Sequence, residues 1–372
     1  MITIQEAKTK SELKLYIKFP FSLYKDNKYW VPPIISEELE SFDKTKNPAF
    51  KNAEGYSYLA YKNNEIVGRI TAIINWDEVN HQQKKKVRFG WFDVIDDIEV
   101  TKALLEKVYE LGRKNNLEYV EGPIGFSNLD KVGILTEGFE EIGTMITWYN
   151  YPYYASHFEK LGYKKEKEYI ESKFPFSNVK PEFFKKANDI VRQRYLLKPL
   201  NFKTTKQVMN RVDEMFELFN HCYASLSTFV PISDAQKKYF KKKYISFINP
   251  EYIKFVEDKD HKIIAFSITM PSFSEALQKS KGKLFPFGFL HFLKTKKQGK
   301  DLLFYLIGVH PDYQNKAVTA IIFSEYFKTF TEKGIKNCFR TPELIDNNAS
   351  INLWKHIDTV VHKRRCTFRK EL

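Results

Sequence analysis

The sequence predicts a two-domain protein of the α/β (α+β) class, each domain a sheet flanked by helices. Three observations carry that prediction. The 372 residues exceed what one ordinary hydrophobic core spans. A hydrophobic content of 43% with 32 Phe suits packed globular domains rather than a disordered chain. Segments of strand character and segments of helical spacing then follow one another in a single order, twice.

The first run opens with a short strand at 2–7 and a helix at 11–24 that contains Pro20. Tyr29-Trp30-Val31-Pro32-Pro33 interrupts the chain before a second helix at 36–42. Strands at 56–61 and 66–75 flank Lys62-Asn63-Asn64-Glu65, a hairpin turn by composition. A strand at 87–95 follows, and Val100, Ala103, Leu104, Val108 and Leu111 form one apolar helical face. A strand at 118–121 and a helix at 151–161 complete the run. The second run repeats the order, with helices at 206–224 and 234–247, a hairpin through 252–256 and 263–269, and a strand at 302–309. It continues with a helix at 318–333, a strand at 337–341, a helix near 348–356 and a last strand at 360–368. Domains are accordingly expected at 1–172 and 173–372, the second carrying a helical insertion at about 273–298.

Composition narrows the function classes. Cys222, Cys338 and Cys366 are odd in number and widely spaced, which fits a reduced, cytoplasmic protein and offers no metal-ligand pattern. The eight His include no paired metal motif, so no metal is expected. No run of eighteen apolar residues appears and the opening Met1-Ile2-Thr3-Ile4 leads into a polar helix, so neither an integral membrane contact nor a signal peptide is expected. Net charge is +14, with lysines clustered at 84–86, 237–243, 279–283 and 294–300. A solvated basic surface is the primary reading; a basic nucleic-acid-associated module is an alternative, but no nucleic-acid motif accompanies the charge and no specific nucleic acid is expected. The apolar run Leu284–Leu293 inside the insertion is too short to span a bilayer. It is open to three readings: packing between domains, an acyl pocket, or contact with a membrane surface.

The most informative stretch is 302–334. A buried strand, a Pro-containing turn and an amphipathic helix follow directly on one another, and the loop Tyr313-Gln314-Asn315-Lys316-Ala317 would aim backbone N–H groups and the positive helix end at one anion. The first half differs at the same place. Asp96, followed three residues later by Glu99, predicts a helix capped by its own carboxylates, which would repel a pyrophosphate.

The order Val309-His310-Pro311, then Gln314-Asn315-Lys316-Ala317-Val318-Thr319, resembles the acyl-CoA-binding motif of the GNAT acyltransferases, V-x-P followed by Q/R-x-x-G-x-G/A opening a helix. Ala317 stands for the first glycine and Thr319 for the second small residue. Asn150…Phe158-Glu159-Lys160-Leu161-Gly162-Tyr163 resembles the family's N…Y-E-K-L-G-F corner, and Asn347…Trp354-Lys355-His356 occupies its place in the second half. Across the whole chain, Gly122-Pro123-Ile124-Gly125-Phe126-Ser127, Tyr149-Asn150-Tyr151-Pro152, Phe229-Val230-Pro231 and Gly282-Lys283-Leu284-Phe285-Pro286 are similar to a bacterial group of two-domain (tandem) GNAT proteins.

The resemblance implies two tandem GNAT folds, each a mixed, mostly antiparallel sheet flanked by helices. It implies acetyl-CoA or a longer acyl-CoA as co-substrate and an amine of a small molecule or peptide as acceptor. The CoA would lie on Ile307, Val309, Gln314, Asn315, Lys316, Ala317, Val318 and Thr319. Asn347 and Asn348 would meet the pantetheine amides or cap the helix that follows. The ionisable tyrosine of the family corner is replaced by Trp354, and by Phe158 in the first half, so either Tyr305 or water protonates the leaving thiolate or catalysis has been lost. Glu343 is the best placed carboxylate for a base. Ser127, Asn128, Asp130, Tyr149, Asn150 and Tyr153 would line the acceptor cleft. The alternative is a non-catalytic acyl-CoA-binding or regulatory protein.

Overall fold

The computed structural model describes every residue except Asn128 and Ser227. The strands in chain order are β1 (Ile2–Glu6), β2 (Ala53–Lys62), β3 (Glu65–Asn75), β4 (Lys86–Val94), β5 (Tyr119–Gly122), β6 (Ile134–Glu137), β7 (Lys164–Pro175) and β8 (Lys198–Asn201). They continue as β9 (Ile253–Glu257), β10 (Ile263–Pro271), β11 (Asp301–Val309), β12 (Asn337–Arg340), β13 (Glu343–Leu344) and β14 (Val360–Glu371). Two compact units result. The first comprises Met1–Tyr169, Phe273–Phe292 and Lys363–Leu372; the second comprises Ile170–Ser272 and Leu293–His362. The order of elements along the chain repeats, but the units exchange segments, because a strand joins whichever sheet edge satisfies its backbone.

In the first unit the strand order is β1-β2-β3-β4-β5-β14. All neighbours are antiparallel except β4 and β5. The chain's last strand enters this sheet with Phe368 opposite Gly122 and Glu371 opposite Tyr119. The helix Ile98–Lys114 covers one face, sinking Val100, Leu104, Leu105 and Val108 against Ile70, Ala72, Val87, Phe89 and Phe368. Tyr16 and Ile17 of the helix Lys10–Leu23 cover the other face, over Leu59, Ile73, Trp91 and Phe126. The insertion helices Ser274–Ser280 and Gly288–Gln298 contribute Phe273, Ala276, Leu277 and Phe292 to a small core with Val31 and Ile34.

In the second unit the order is β7-β12-β11-β10-β9-β8, with β11 and β12 parallel. The helix Thr319–Lys333 packs on one face with the helix Pro181–Tyr195, where Phe184 meets Phe323 at 5.1 Å. Phe304 of β11 sits among Phe323, Tyr326, Phe330 and Trp354.

Several elements depart from the sequence expectation. The helix expected at 206–224 is two, Thr205–Met209 and Val212–Tyr223. Arg211 stands between them with φ −119°, its guanidinium donating to Glu214, Glu257 and the His261 carbonyl. The helix at 234–247 ends at Phe240 and continues as a π-turn, Lys241–Ile245. In the first half Asp97, not Asp96, caps the helix Ile98–Lys114, accepting from the Glu99 N–H at 3.0 Å; Asp96 instead meets His157 Nε2 at 3.1 Å. The displacement by one residue leaves a carboxylate at that helix end. β7, rich in Lys and Glu, and the short β8 lack the apolar alternation by which a strand is read in sequence.

Candidate active site

β11 and β12 define the site in the second unit. Their parallel register runs from Asp301↔Asn337 to Phe304↔Arg340 and stops there. β11 continues to Val309, held on its other side by β10 with Ile307 opposite Ser267 and Val309 opposite Ala265. Tyr305 is the extra residue of a bulge between Phe304 and Leu306. From Tyr305 onward the two parallel strands splay, and Tyr305, Leu306 and Ile307 are half-buried rather than buried. An extended amide-bearing chain can pair at such an edge, in exchange for the side chains of Thr341, Tyr223 and Gln314 that meet the Tyr305, Ile307 and Val309 carbonyls.

At the end of β11 the chain forms a short 3-10 turn, Pro311–Tyr313, and then the loop leading to the helix Thr319–Lys333. Asn315 and Ala317 both take φ of +54°. A left-handed Ala317 explains why the motif expects glycine there. Gln314 folds back, its Nε2 donating to the Val309 carbonyl at 3.3 Å. The helix begins at Val318, whose side chain carries no acceptor, and no side chain caps it. The Ala320 and Ile321 N–H groups donate back to the Ala317 and Val318 carbonyls, and the positive end of the helix lies at this loop. Lys316 lies over the rings of Tyr313 (4.8 Å) and Tyr195 (5.2 Å), which hold its charge beside the loop.

Glu343 lies on β13, just past β12. Arg340 pairs with its Oε1 and Ser350 Oγ donates to its Oε2, so both oxygens are engaged. Arg340 stacks over Trp354 at 4.5 Å. Trp354 itself is buried against Phe174, Phe304 and Phe323 and is core in position. Asn347 accepts from the Ser350 N–H at 3.2 Å and so caps the helix Asn348–Leu353, while Asn348 is exposed. Tyr305 turns its ring toward Tyr244 (6.2 Å). Sequence reasoning missed Tyr223, whose hydroxyl donates to the Ile307 carbonyl at 3.0 Å on the splayed edge. Burial keeps that phenol protonated far above its ordinary range, and the charge of Glu343 adds to the effect. Its only sequence signal was Phe219 and Tyr223 four apart on one helix face.

The first unit closes its corresponding edge. β4 and β5 pair in parallel only as far as Arg88↔Glu121. The Val94 N–H donates to Tyr154 Oη (2.9 Å), and Tyr153 Oη donates to the Val94 carbonyl (2.7 Å). The Tyr154 hydroxyl also meets Tyr24, which donates to Asp93, itself paired with Arg69 at 2.7 Å. Burial pushes the Asp93 carboxyl up, with Arg69 opposing it. The cleft candidates of this unit are largely engaged in such internal bonds. Ser127 donates its N–H and hydroxyl to Asp130, and Asn150 bonds Leu135 N–H and C=O. Tyr149 donates to the Phe139 carbonyl and accepts from Asn27. Asn128 lies outside the described residues.

No protein-family model matches the chain. In sequence it is similar to Protein YghO of Escherichia coli K12, 27% identical over 374 residues, covering 98% of this chain and 94% of that protein. It is also similar to the bacterial ceramide synthase of Caulobacter vibrioides, 26% identical over 319 residues, 84% of this chain and 82% of that protein. Among solved structures, a tandem GNAT protein from the clavulanic acid biosynthesis pathway superposes with a TM-score of 0.59 at 10% identity, covering 100% of this chain and 98% of that one. The fold is a tandem GNAT fold. A GCN5-related N-acetyltransferase from Sphaerobacter thermophilus gives 0.54 at 10% identity, with coverage of 100% and 95%. These likenesses show the fold, and the nucleic-acid alternative finds no support among them. No helix among the described residues is long and apolar enough to cross a membrane.

Proposed function

We propose that this chain transfers the acyl group of an acyl-CoA to the amino group of a long-chain, lipid-like amine, with the CoA on the second unit. The observation that carries the reading is the splay of β11 from β12 above the uncapped helix Thr319–Lys333. The stretch Tyr305–Val309, where β12 no longer pairs with β11, suits the pantetheine amides. The loop Gln314–Thr319 with Lys316 suits the phosphates. The acceptor class draws on the relative named a ceramide synthase, since a ceramide is an N-acylated long-chain amine.

In the reaction the amine nitrogen attacks the thioester carbonyl, a C–N bond forms and the C–S bond breaks. The amine gives up a proton and the sulfur leaves as a thiol. Glu343 serves as base through a water, since Arg340 and Ser350 already hold its oxygens. The phenols for the leaving sulfur are Tyr305 on the splayed edge and Tyr223 of the helix Val212–Tyr223, whose O–H must first leave the Ile307 carbonyl. A second reading, an acyl-CoA-binding protein without turnover, is favoured by that same engagement of Glu343 and by Trp354 at the corner.

Full-length protein incubated with a long-chain acyl-CoA and a long-chain amino alcohol should release free CoA thiol and an amide of the summed mass less CoASH. Calorimetry should show one acyl-CoA per chain, weakened about tenfold in Lys316→Glu. Saturating binding indifferent to that substitution refutes the CoA site. Binding without amide formation over a broad amine panel selects the second reading.

A further inference from the structure

The insertion is firmly held at its base and bare at its tip. Ser274 Oγ donates to the Gly143 carbonyl at 2.8 Å, Gln278 Nε2 donates to the Lys28 and Trp30 carbonyls, and the Ile35 N–H donates to the Gly282 carbonyl. Phe273, Ala276, Leu277 and Phe292 are buried beneath. Above this base, Phe285 is 77% exposed, Phe287 71% and Leu290 51%. Leu293, one turn beyond Leu290 on the same helix, is also exposed. Two phenyl rings on a well-anchored loop stand in water although the segment has a core of its own.

The charge along this stretch of sequence has one sign. Between Ser274 and Lys300 the chain carries lysines at 279, 281, 283, 294, 296, 297 and 300 and a single acid, Glu275. Lys281 and Lys283 immediately precede the exposed phenylalanines and are themselves exposed. Projecting aromatic and aliphatic side chains flanked by the exposed Lys281 and Lys283 match a bilayer surface, with an apolar interior below and anionic headgroups around. A protein partner would have to supply an apolar hollow rimmed with acid at the same spacing.

We infer that the tip Lys283–Leu290 docks the protein peripherally on anionic lipid surfaces, Phe285 and Phe287 inserting at the headgroup–acyl boundary while the flanking lysines pair with lipid phosphates. Each lysine at such a surface strengthens binding about fivefold, and the contribution is screened by salt. The two rings add burial that salt does not screen. This docking is independent of whether the second unit turns over an acyl-CoA.

The test is sedimentation of the full-length protein with phosphatidylcholine vesicles, with and without phosphatidylglycerol. Binding is expected to the anionic vesicles and to fall as salt rises. Phe285→Ser with Phe287→Ser should weaken it at least about tenfold. The lysine variant Lys281→Gln with Lys283→Gln should weaken it about twentyfold at low salt and less at high salt. Both variants carry changes in exposed residues only, and an unchanged far-ultraviolet spectrum and melt certify their folds. Absence of binding to anionic vesicles overturns the inference. So does binding that ignores the two phenylalanines, which would be surface charge alone. A concentration-dependent dimer abolished by the same phenylalanine substitutions, without vesicle binding, would assign the tip to a second copy of the chain instead.

Discussion

Replacing Glu343 by Gln separates chemistry from architecture at the proposed site. Arg340 and Glu343 are both nearly buried, at 6% and 11% side-chain exposure, and Arg340 has Trp354 beneath it rather than water. Burial pulls the basicity of Arg340 down and the Glu343 charge opposes that pull, so the pair holds the guanidinium in its charged form. Removing one partner of a buried pair costs about 3–5 kcal/mol. Gln keeps an acceptor oxygen for Arg340 and for Ser350, so about 2 kcal/mol is expected here. In a cooperative unit of about 150–250 residues that lowers Tm by about 4–8 °C. Differential scanning calorimetry reads this directly, and Arg340→Met in the Glu343→Gln background should restore most of it because no unpaired charge remains. If Glu343 is also the base, turnover by Glu343→Gln falls about a hundredfold to ten-thousandfold below the melting range, with acyl-CoA affinity nearly unchanged. Arg340→Met then leaves that turnover low. A Glu343→Gln protein with wild-type Tm would refute the ion-pair argument. One with wild-type turnover would remove Glu343 from the proton path.

Two further outcomes follow from other parts of the chain. In the first unit, burial alone would raise Glu78, but the charges of Arg88 and Lys86 outweigh it and hold the carboxyl at about 2. A folded value below the ordinary 4.5 contributes stability above that pH, which is lost as pH falls from about 5 toward 2, amounting to about 3 kcal/mol. Acid titration of stability should therefore be shallower over that range in Glu78→Gln than in the wild type, and parallel curves would contradict the assignment. In the second unit, Ala317→Gly relieves a left-handed alanine and should raise stability by about 0.5–1 kcal/mol after the entropy of glycine is subtracted. A lower Tm in that variant would show that the Ala317 methyl packs usefully.

The local determinants of the fold are legible in the chain itself. The hairpins, the helix Ile98–Lys114 with its apolar stripe, and the strand–loop–helix around Lys316 follow from periodicities of two and 3.6 and from turn chemistry, all short-range properties. The motif position of Ala317 was readable too, because a backbone conformation that favours glycine leaves its mark in a family pattern. Partnership was not. That Glu343 would be held by Arg340 and Ser350, that Tyr223 would reach Ile307, and that Tyr153 and Tyr154 would close the edge of β4 at Val94 all depend on which segments meet across long sequence separations. The same holds for β14, whose Phe368 seats opposite Gly122 in the first unit, and for the second part of β7, whose Phe174 seats opposite Cys338 in the second. A strand's sequence encodes that it needs an edge and which face is apolar. Only the assembled sheet decides which edge is open to it.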